Sequence, residues 1–253
     1  MVRLLGLDFA DLDAAAAAAW IAARPASAPF GYVVTPNADH LVRLARHPAL
    51  AAIYRQAELR LLDSRAVALA AQALGLAAPR VATGSDLTAE LLDRHLPPDE
   101  RITIVGLRQQ WLPALMTRCR LAPPFHCDPP AGFERDRGAW DETVRFVVTH
   151  PARLVFLAVG SPRQERLAAA IAATGEASGI GLCIGAGLEF LAGARRRAPV
   201  WLRRAGLEWA FRLAGDPGRL APRYLRDSPA ILPLLLRERA ASLSASVERN
   251  GSG

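Results

Sequence analysis

Short apolar runs recur along this chain, and each is followed by a stretch of helical character. Residues 2–5, 31–35, 59–62, 101–105, 154–159 and 179–184 have the β-branched, aromatic and leucine-rich composition of strands. Between them, residues 13–23, 38–46, 64–74, 86–95, 112–119, 138–149 and 165–173 read as helices from alanine content and helical spacing. Asp11 or Asp13 is placed to cap the first of these, and Ser85 or Asp86 the one that ends near His95. Strands as apolar as LVFLAV and GIGLCI leave no wet face. The expected fold is therefore α/β, a mostly parallel sheet with helices on both faces.

Ligands of such sheets sit at the carboxyl ends of the strands. Here those ends carry Thr35-Pro36-Asn37, Asp63-Ser64, Gly106, Gly160-Ser161-Pro162 and Gly185-Ala186-Gly187. The 253 residues can bury one full core, and the composition changes near Gly193, where glycine and apolar strands give way to arginine and aromatics. The predicted organisation is a core over residues 1–193 and a helical appendage over residues 194–253.

Charge follows the same division. From Arg195 to Arg249 there are 12 arginines against five acids, an excess equal to the net +7 of the whole chain. All 31 basic residues are arginine, which gene composition alone can produce, so the clustering carries more information than any single arginine. Trp201, Trp209, Phe211 and Tyr224 are interleaved with the cluster. As one helix, the stretch would align Leu202, Ala205, Trp209 and Leu213 on one face, while Arg219, Arg223 and Arg226 share a side. Converging guanidinium groups suit a diphosphate, and an apolar face beside them suits a membrane surface. A solvated basic face on a core helix is the plainer reading. Nucleic acid is not the expected partner, since no reader module or base-stacking array is present.

A hydrophobic content of 51% with 22% charged residues excludes a disordered or fibrous chain. Cys119, Cys127 and Cys183 lack metal-ligand spacing and are odd in number, which predicts neutral thiols in a reducing compartment. The opening MVRLLGLDFADLD does not read as a signal peptide, and no apolar run approaches the roughly 20 residues that span a bilayer.

Asp63 directly follows an apolar strand, where a partly desolvated carboxylate can serve as a general base. The alternative is that it caps the next helix. Asn37 can hydrogen-bond either a sugar or the backbone. The corner Gly160-Ser161-Pro162-Arg163-Gln164-Glu165 is either a tight turn or a cradle in which free helix N–H groups and the Gln164 amide meet a phosphate or sugar. Neither GxGxxG after the first strand nor GxxxxGK[ST] occurs.

Taken in order, these motifs resemble those of the WecG/TagA/CpsF glycosyltransferases, bacterial enzymes that add a sugar to a polyprenyl-diphosphate-linked acceptor in cell-surface polysaccharide synthesis. The resemblance rests on Thr35-Pro36-Asn37-Ala38-Asp39, Asp63, Arg80 with Thr83-Gly84-Ser85-Asp86-Leu87, and the corner from Gly160 to Glu165. Towards the end it continues through Arg197-Ala198-Pro199, Gly206-Leu207-Glu208-Trp209, Arg212-Leu213, Pro217, Arg219, Arg223 and Tyr224. It implies a Rossmann-like core and an inverting transferase of the N-acetylmannosaminyl or hexosyl type. The donor would be a UDP-sugar, with no bound metal or other cofactor. Asp63 would be the catalytic base. Thr35, Asn37, Arg80, Gly84, Asp86, Gln164 and Glu189 would bind substrate, and Arg212, Arg219 and Arg223 would hold the acceptor diphosphate. Residues 195–197, Arg203 and Arg204 would meet the anionic surface on the cytoplasmic face of the membrane. Two positions depart from the family: Ser64 stands where glycine is usual, and Glu189 where aspartate is usual, a change that fits a different donor sugar. A non-catalytic protein that binds sugar nucleotides or anionic lipid is the alternative.

Overall fold

In a computed structural model of the protein, residues 1–215, 217–218 and 228–251 are described. Strands β1 (Val2–Leu4) and β2 (Leu7–Phe9) form an antiparallel hairpin. Six further strands make one sheet: β3 (Gly31–Val34), β4 (Leu59–Arg60), β5 (Thr103–Gly106), β6 (Phe125–Cys127), β7 (Leu154–Ala158) and β8 (Ile180–Cys183). Their spatial order is β4-β3-β8-β7-β5-β6, and every pairing is parallel. The expected Rossmann-like α/β class is what forms.

Because side chains alternate across a strand, the apolar runs feed two cores at once. In β7, Val155 and Leu157 join the core beneath α2 (Ala38–Arg46), α3 (Pro48–Gln56), α4 (Arg65–Ala73) and α8 (Arg163–Thr174). Leu154 and Phe156 face the opposite core, with α1 (Ala14–Ala22), α5 (Gly84–Glu90), α6 (Leu112–Cys119) and α9 (Gly187–Leu191). The same split places Val34 and Cys183 on the first side and Val33 and Leu182 on the second. Helix α7 (Arg137–Thr149) covers the first core through Val147.

Three elements depart from the sequence expectation. β6 is a half-buried three-residue edge strand, too short for alternation to register. α3 begins one residue after α2 ends, with Pro48 in its first turn, so the two helices read as one and a loop. β2 follows a two-residue turn at Leu5 and Gly6, both with positive φ, a conformation that leucine does not advertise. Leu5 is held there from afar: its N–H donates to Glu238 Oε2 at 2.6 Å. The cap of α5 is also corrected. Thr83 accepts from the Asp86 N–H, so neither Ser85 nor Asp86 is the cap.

The arginine-rich end is not one helix. Helix α10 (Val200–Arg204) stops at Gly206, whose φ of +74° lets the Leu207 N–H close back on the Leu202 carbonyl. A new helix, α11 (Glu208–Gly215), then starts. The single apolar face expected across Leu202, Ala205, Trp209 and Leu213 therefore does not form. A further helix, α12 (Ile231–Gly251), packs against α2 and α4, with Ile231 and Leu235 buried in the first core. Leu235 is fully buried at this junction, so Leu235→Ala should cost about 2–4 kcal/mol of stability, read as a lower urea midpoint.

Candidate active site

Asp63 is placed by backbone contacts on both sides. The Leu61 N–H donates to the Val34 carbonyl at 3.0 Å, and the Asp63 N–H donates to the Pro36 carbonyl at 2.9 Å. The chain thus continues the β3–β4 pairing past the strand ends. Ser64 Oγ accepts from the Val67 N–H at 3.2 Å and caps α4. This gives the unusual serine a structural task, and it sets aside the reading of Asp63 as the cap. The Asp63 carboxylate accepts from the Gly84 N–H at 3.2 Å.

That last contact requires a close approach. A Cβ on Gly84 would stand 2.9 Å from the Ile184 carbonyl oxygen and 3.1 Å from Thr35 Oγ1. Only glycine lets the start of α5 reach the ends of β3 and β8. Thr35 is buried, and its hydroxyl donates to the Cys183 carbonyl at 3.0 Å, tying β3 to β8 at the same level. Asn37 caps α2 by accepting from the His40 N–H at 3.3 Å.

Two cavities of unlike character meet at Asn37 and Asp63, which line both. The smaller, about 270 Å³, is polar and is lined by Thr35, Gln164, Glu189, Arg43, Arg163 and Arg195 among others. Gln164 is almost fully buried, and its Oε1 accepts from the Gly185 N–H at 3.2 Å. Glu189 is paired with Arg195 at 2.5 Å. Arg43 bridges Asp39 at 2.5 Å and Ser161 Oγ at 3.1 Å. The larger cavity, about 610 Å³, is mainly apolar and lies between the α4 side and the C-terminal segments, with Val67, Val81, Val200, Trp209, Ile231 and Leu232 in its wall.

Asp86 links α5 to the arginine-rich segment beside the larger cavity. Its Oδ1 meets Arg197 at 2.8 Å and Arg203 at 3.3 Å, while Oδ2 accepts from the Thr83 hydroxyl at 2.8 Å. Arg197 and Arg203 are therefore turned inward, contrary to the expectation that they meet the anionic surface. The Nε atoms of both are buried without a hydrogen-bond partner. Arg195, expected at the surface as well, faces Glu189 instead. Arg80 is not brought to either cavity. Its side chain is 65% exposed beside Asp13, and its N–H donates to Asp11. Arg212 belongs to α11, but its side chain, with Arg219 and Arg223, lies outside the described residues.

Sequence reasoning missed Arg43, His40, Arg163 and Arg195 as members of the polar cavity. The four-residue spacing of Asp39 and Arg43 hinted at one of them, and the place of Arg163 in the Gly160–Glu165 corner at another. The cysteines stay neutral thiols: burial pushes Cys119 up to about 11 and raises Cys127 and Cys183 as well. Among the described residues, no three His, Cys, Asp or Glu side chains converge as metal ligands, and no helix is long and apolar enough to cross a membrane.

Asp86→Ala releases Arg197 and Arg203 from their shared carboxylate. Trypsin should then cut at residues 197–204 about fivefold faster, as expected for the loss of about 1 kcal/mol of local closure.

Residues 2–245 match the family described as Glycosyl transferase WecG/TagA/CpsF family. A relative from Bacillus spizizenii, named N-acetylglucosaminyldiphosphoundecaprenol N-acetyl-beta-D-mannosaminyltransferase, is 24% identical over 217 residues, covering 83% of this chain and 81% of its own. The match runs through the sheet, both cavities and the appendage. The chain belongs to the WecG/TagA/CpsF family of glycosyl transferases.

Proposed function

We propose that the chain transfers a sugar from a UDP-sugar to a polyprenyl-diphosphate-linked saccharide, with inversion at the anomeric carbon, during cell-surface polysaccharide synthesis. The observation that carries this reading is the position of Asp63 on the boundary shared by a polar, arginine-lined cavity and an apolar one.

The polar cavity suits the donor. Arg43, Arg163 and Arg195 supply guanidinium groups for a diphosphate. Each is paired with a carboxylate, Arg43 with Asp39, Arg163 with Glu134 and Arg195 with Glu189, so a diphosphate would meet guanidinium groups already held in place. Gln164, Thr35 and Asn37 offer hydrogen bonds to the sugar, and Glu189 sets how far a carboxylate reaches towards it. The apolar cavity suits the acceptor, with its sugar at Asp63 and its lipid running past Trp209 and Leu232. The relative's printed name supports a lipid-diphosphate acceptor carrying N-acetylglucosamine. Its β-product supports inversion, because one displacement on an α-linked nucleotide sugar gives β.

In the reaction, Asp63 accepts the proton of an acceptor hydroxyl while that oxygen bonds to the anomeric carbon. The bond from that carbon to the UDP oxygen breaks on the opposite face, and UDP leaves with the electron pair. Arg212, Arg219 and Arg223 hold the acceptor diphosphate. Trp201, Val200, Leu232 and Leu236 are 67%, 52%, 51% and 54% exposed around the apolar cavity, which supports contact with the cytoplasmic face of the membrane.

The test is a screen of UDP-sugars against a synthetic polyprenyl-diphosphate N-acetylglucosamine, read by product mass. Asp63→Asn keeps an acceptor for the Gly84 N–H, so it should fold normally by circular dichroism. It should lose about 10²–10⁴-fold in transfer rate, the range for a general base. Near-normal turnover by that variant would remove Asp63 from the mechanism. Binding of UDP without any transfer or hydrolysis would favour a non-catalytic binding protein.

A further inference from the structure

Glu165 stands directly behind the polar cavity and is used by none of the steps above. It lies in the first turn of α8 and is fully buried. Its Oε1 accepts from Gln164 Nε2 at 2.9 Å, and its Oε2 is buried without a hydrogen-bond partner. The groups around it come from several elements. Tyr54 of α3 and Ser161 of the β7–α8 turn present hydroxyls towards the carboxyl, and Cys183 of β8 adds a buried thiol. On α2, His40 Nδ1 lies 3.2 Å from the Tyr54 hydroxyl, and Arg43 donates to Ser161 while its charge is met by Asp39.

Gln164 is held at both ends of its amide, with Nε2 on Glu165 and Oε1 on the Gly185 N–H. The two contacts agree on one orientation, since Gly185 requires the oxygen and Glu165 Oε1 requires the nitrogen. One amide hydrogen of Gln164 remains for the cavity.

We propose that Glu165 is a positioning residue for the donor: it sets the Gln164 amide so that Gly185 is held and the second amide hydrogen points at the nucleotide sugar. The inference rests on the donor reading of the polar cavity. The buried Oε2, which has no hydrogen-bond partner, favours the neutral acid in this role. Burial pushes its carboxyl above the ordinary range, and burial likewise raises the Tyr54 phenol well above its own. A proton on Oε2 would have the Tyr54 and Ser161 hydroxyls as acceptors. An ionised Oε2 would instead draw the Tyr54 hydroxyl from His40 and the Arg43 guanidinium from Ser161. Both His40 and Ser161 line the polar cavity. Rising pH therefore loosens the donor site by way of a residue the donor does not touch.

The linkage has a definite sign. The folded-state carboxyl is raised above its unfolded value, so the neutral form is favoured by folding. That contribution is complete at acidic pH and is lost as pH rises through the folded value.

The experiment measures binding of the UDP-sugar that is active in the transfer screen, and of UDP alone, to the full chain by calorimetry, from mildly acidic to mildly alkaline pH, for the wild type, Glu165→Gln and Glu165→Leu. Glu165→Gln keeps a neutral acceptor and should bind the UDP-sugar within about twofold of the wild type at neutral pH, while losing the wild type's weakening at alkaline pH. Glu165→Leu should bind the UDP-sugar about tenfold more weakly than the wild type at neutral pH. The inference is overturned if both variants melt lower yet bind the UDP-sugar like the wild type, or if Glu165→Gln keeps the wild-type pH profile. Failure of every UDP-sugar and of UDP to bind the wild type would overturn the donor reading and this inference with it. Tight wild-type binding of the UDP-sugar with unaffected variants would overturn the inference alone.

Discussion

The start of α5 lies against the ends of β3 and β8, and the missing side chain at residue 84 is what allows it. From that contact the site assembles outward. The Gly84 N–H meets the Asp63 carboxylate, and Thr83 caps the helix while also gripping Asp86. Asp86 in turn holds Arg197 and Arg203 over the larger cavity. A single backbone approach thus fixes both the proposed base and the carboxylate that holds Arg197 and Arg203. Moving the helix outward by the width of a methyl group would disturb both ends of that chain of contacts.

Much of the core was legible because it obeys two strong rules. Apolar strands at residues 31–35, 154–159 and 179–184 could only be buried on both faces, and the helices between them forced parallel pairing. The strand ends pointed to Thr35, Asn37, Asp63 and the Gly160–Glu165 corner, the family resemblance added Glu189, and Thr35, Asn37, Asp63, Gln164 and Glu189 line one cavity. What could not be read was set by distant partners. Leu5 sits in the hairpin turn with positive φ and donates its N–H to Glu238, a partner that no local residue signals. Gly206 looked like an ordinary small residue within a helix, yet it ends α10 beside Ala66 of α4, 3.4 Å from where a Cβ would lie. Arg80 resembles a family position but is drawn off to Asp11 and Asp13. The inward roles of Arg195, Arg197 and Arg203 depend on acids contributed by other elements.

The charge of the chain takes on a different meaning once those pairings are in view. A basic cluster read as a line of residues implies a uniformly positive surface. In the folded protein part of that cluster is spent internally: Arg195 on Glu189, and Arg197 and Arg203 on Asp86. These pairs are only partly exposed, so they are screened less than surface charges would be. Carboxylates that hold arginines in place also keep their side chains from collapsing onto the apolar wall. An anionic ligand arriving there would meet oriented guanidinium groups instead of flexible ones.

The contact between Leu5 and Glu238 joins positions 233 residues apart. Contacts that distant in sequence cost the most chain entropy and form late in folding. The residues that line the polar cavity run from Thr35 to Arg195, so that cavity is complete once the sheet has formed. The apolar cavity also needs Val200, Trp209, Ile231 and Leu232, which arrive only when the C-terminal helices dock. The two halves of the site therefore draw on different parts of the chain. A fluctuation that lifts α12 would dismantle the wall of one cavity while the other stayed whole.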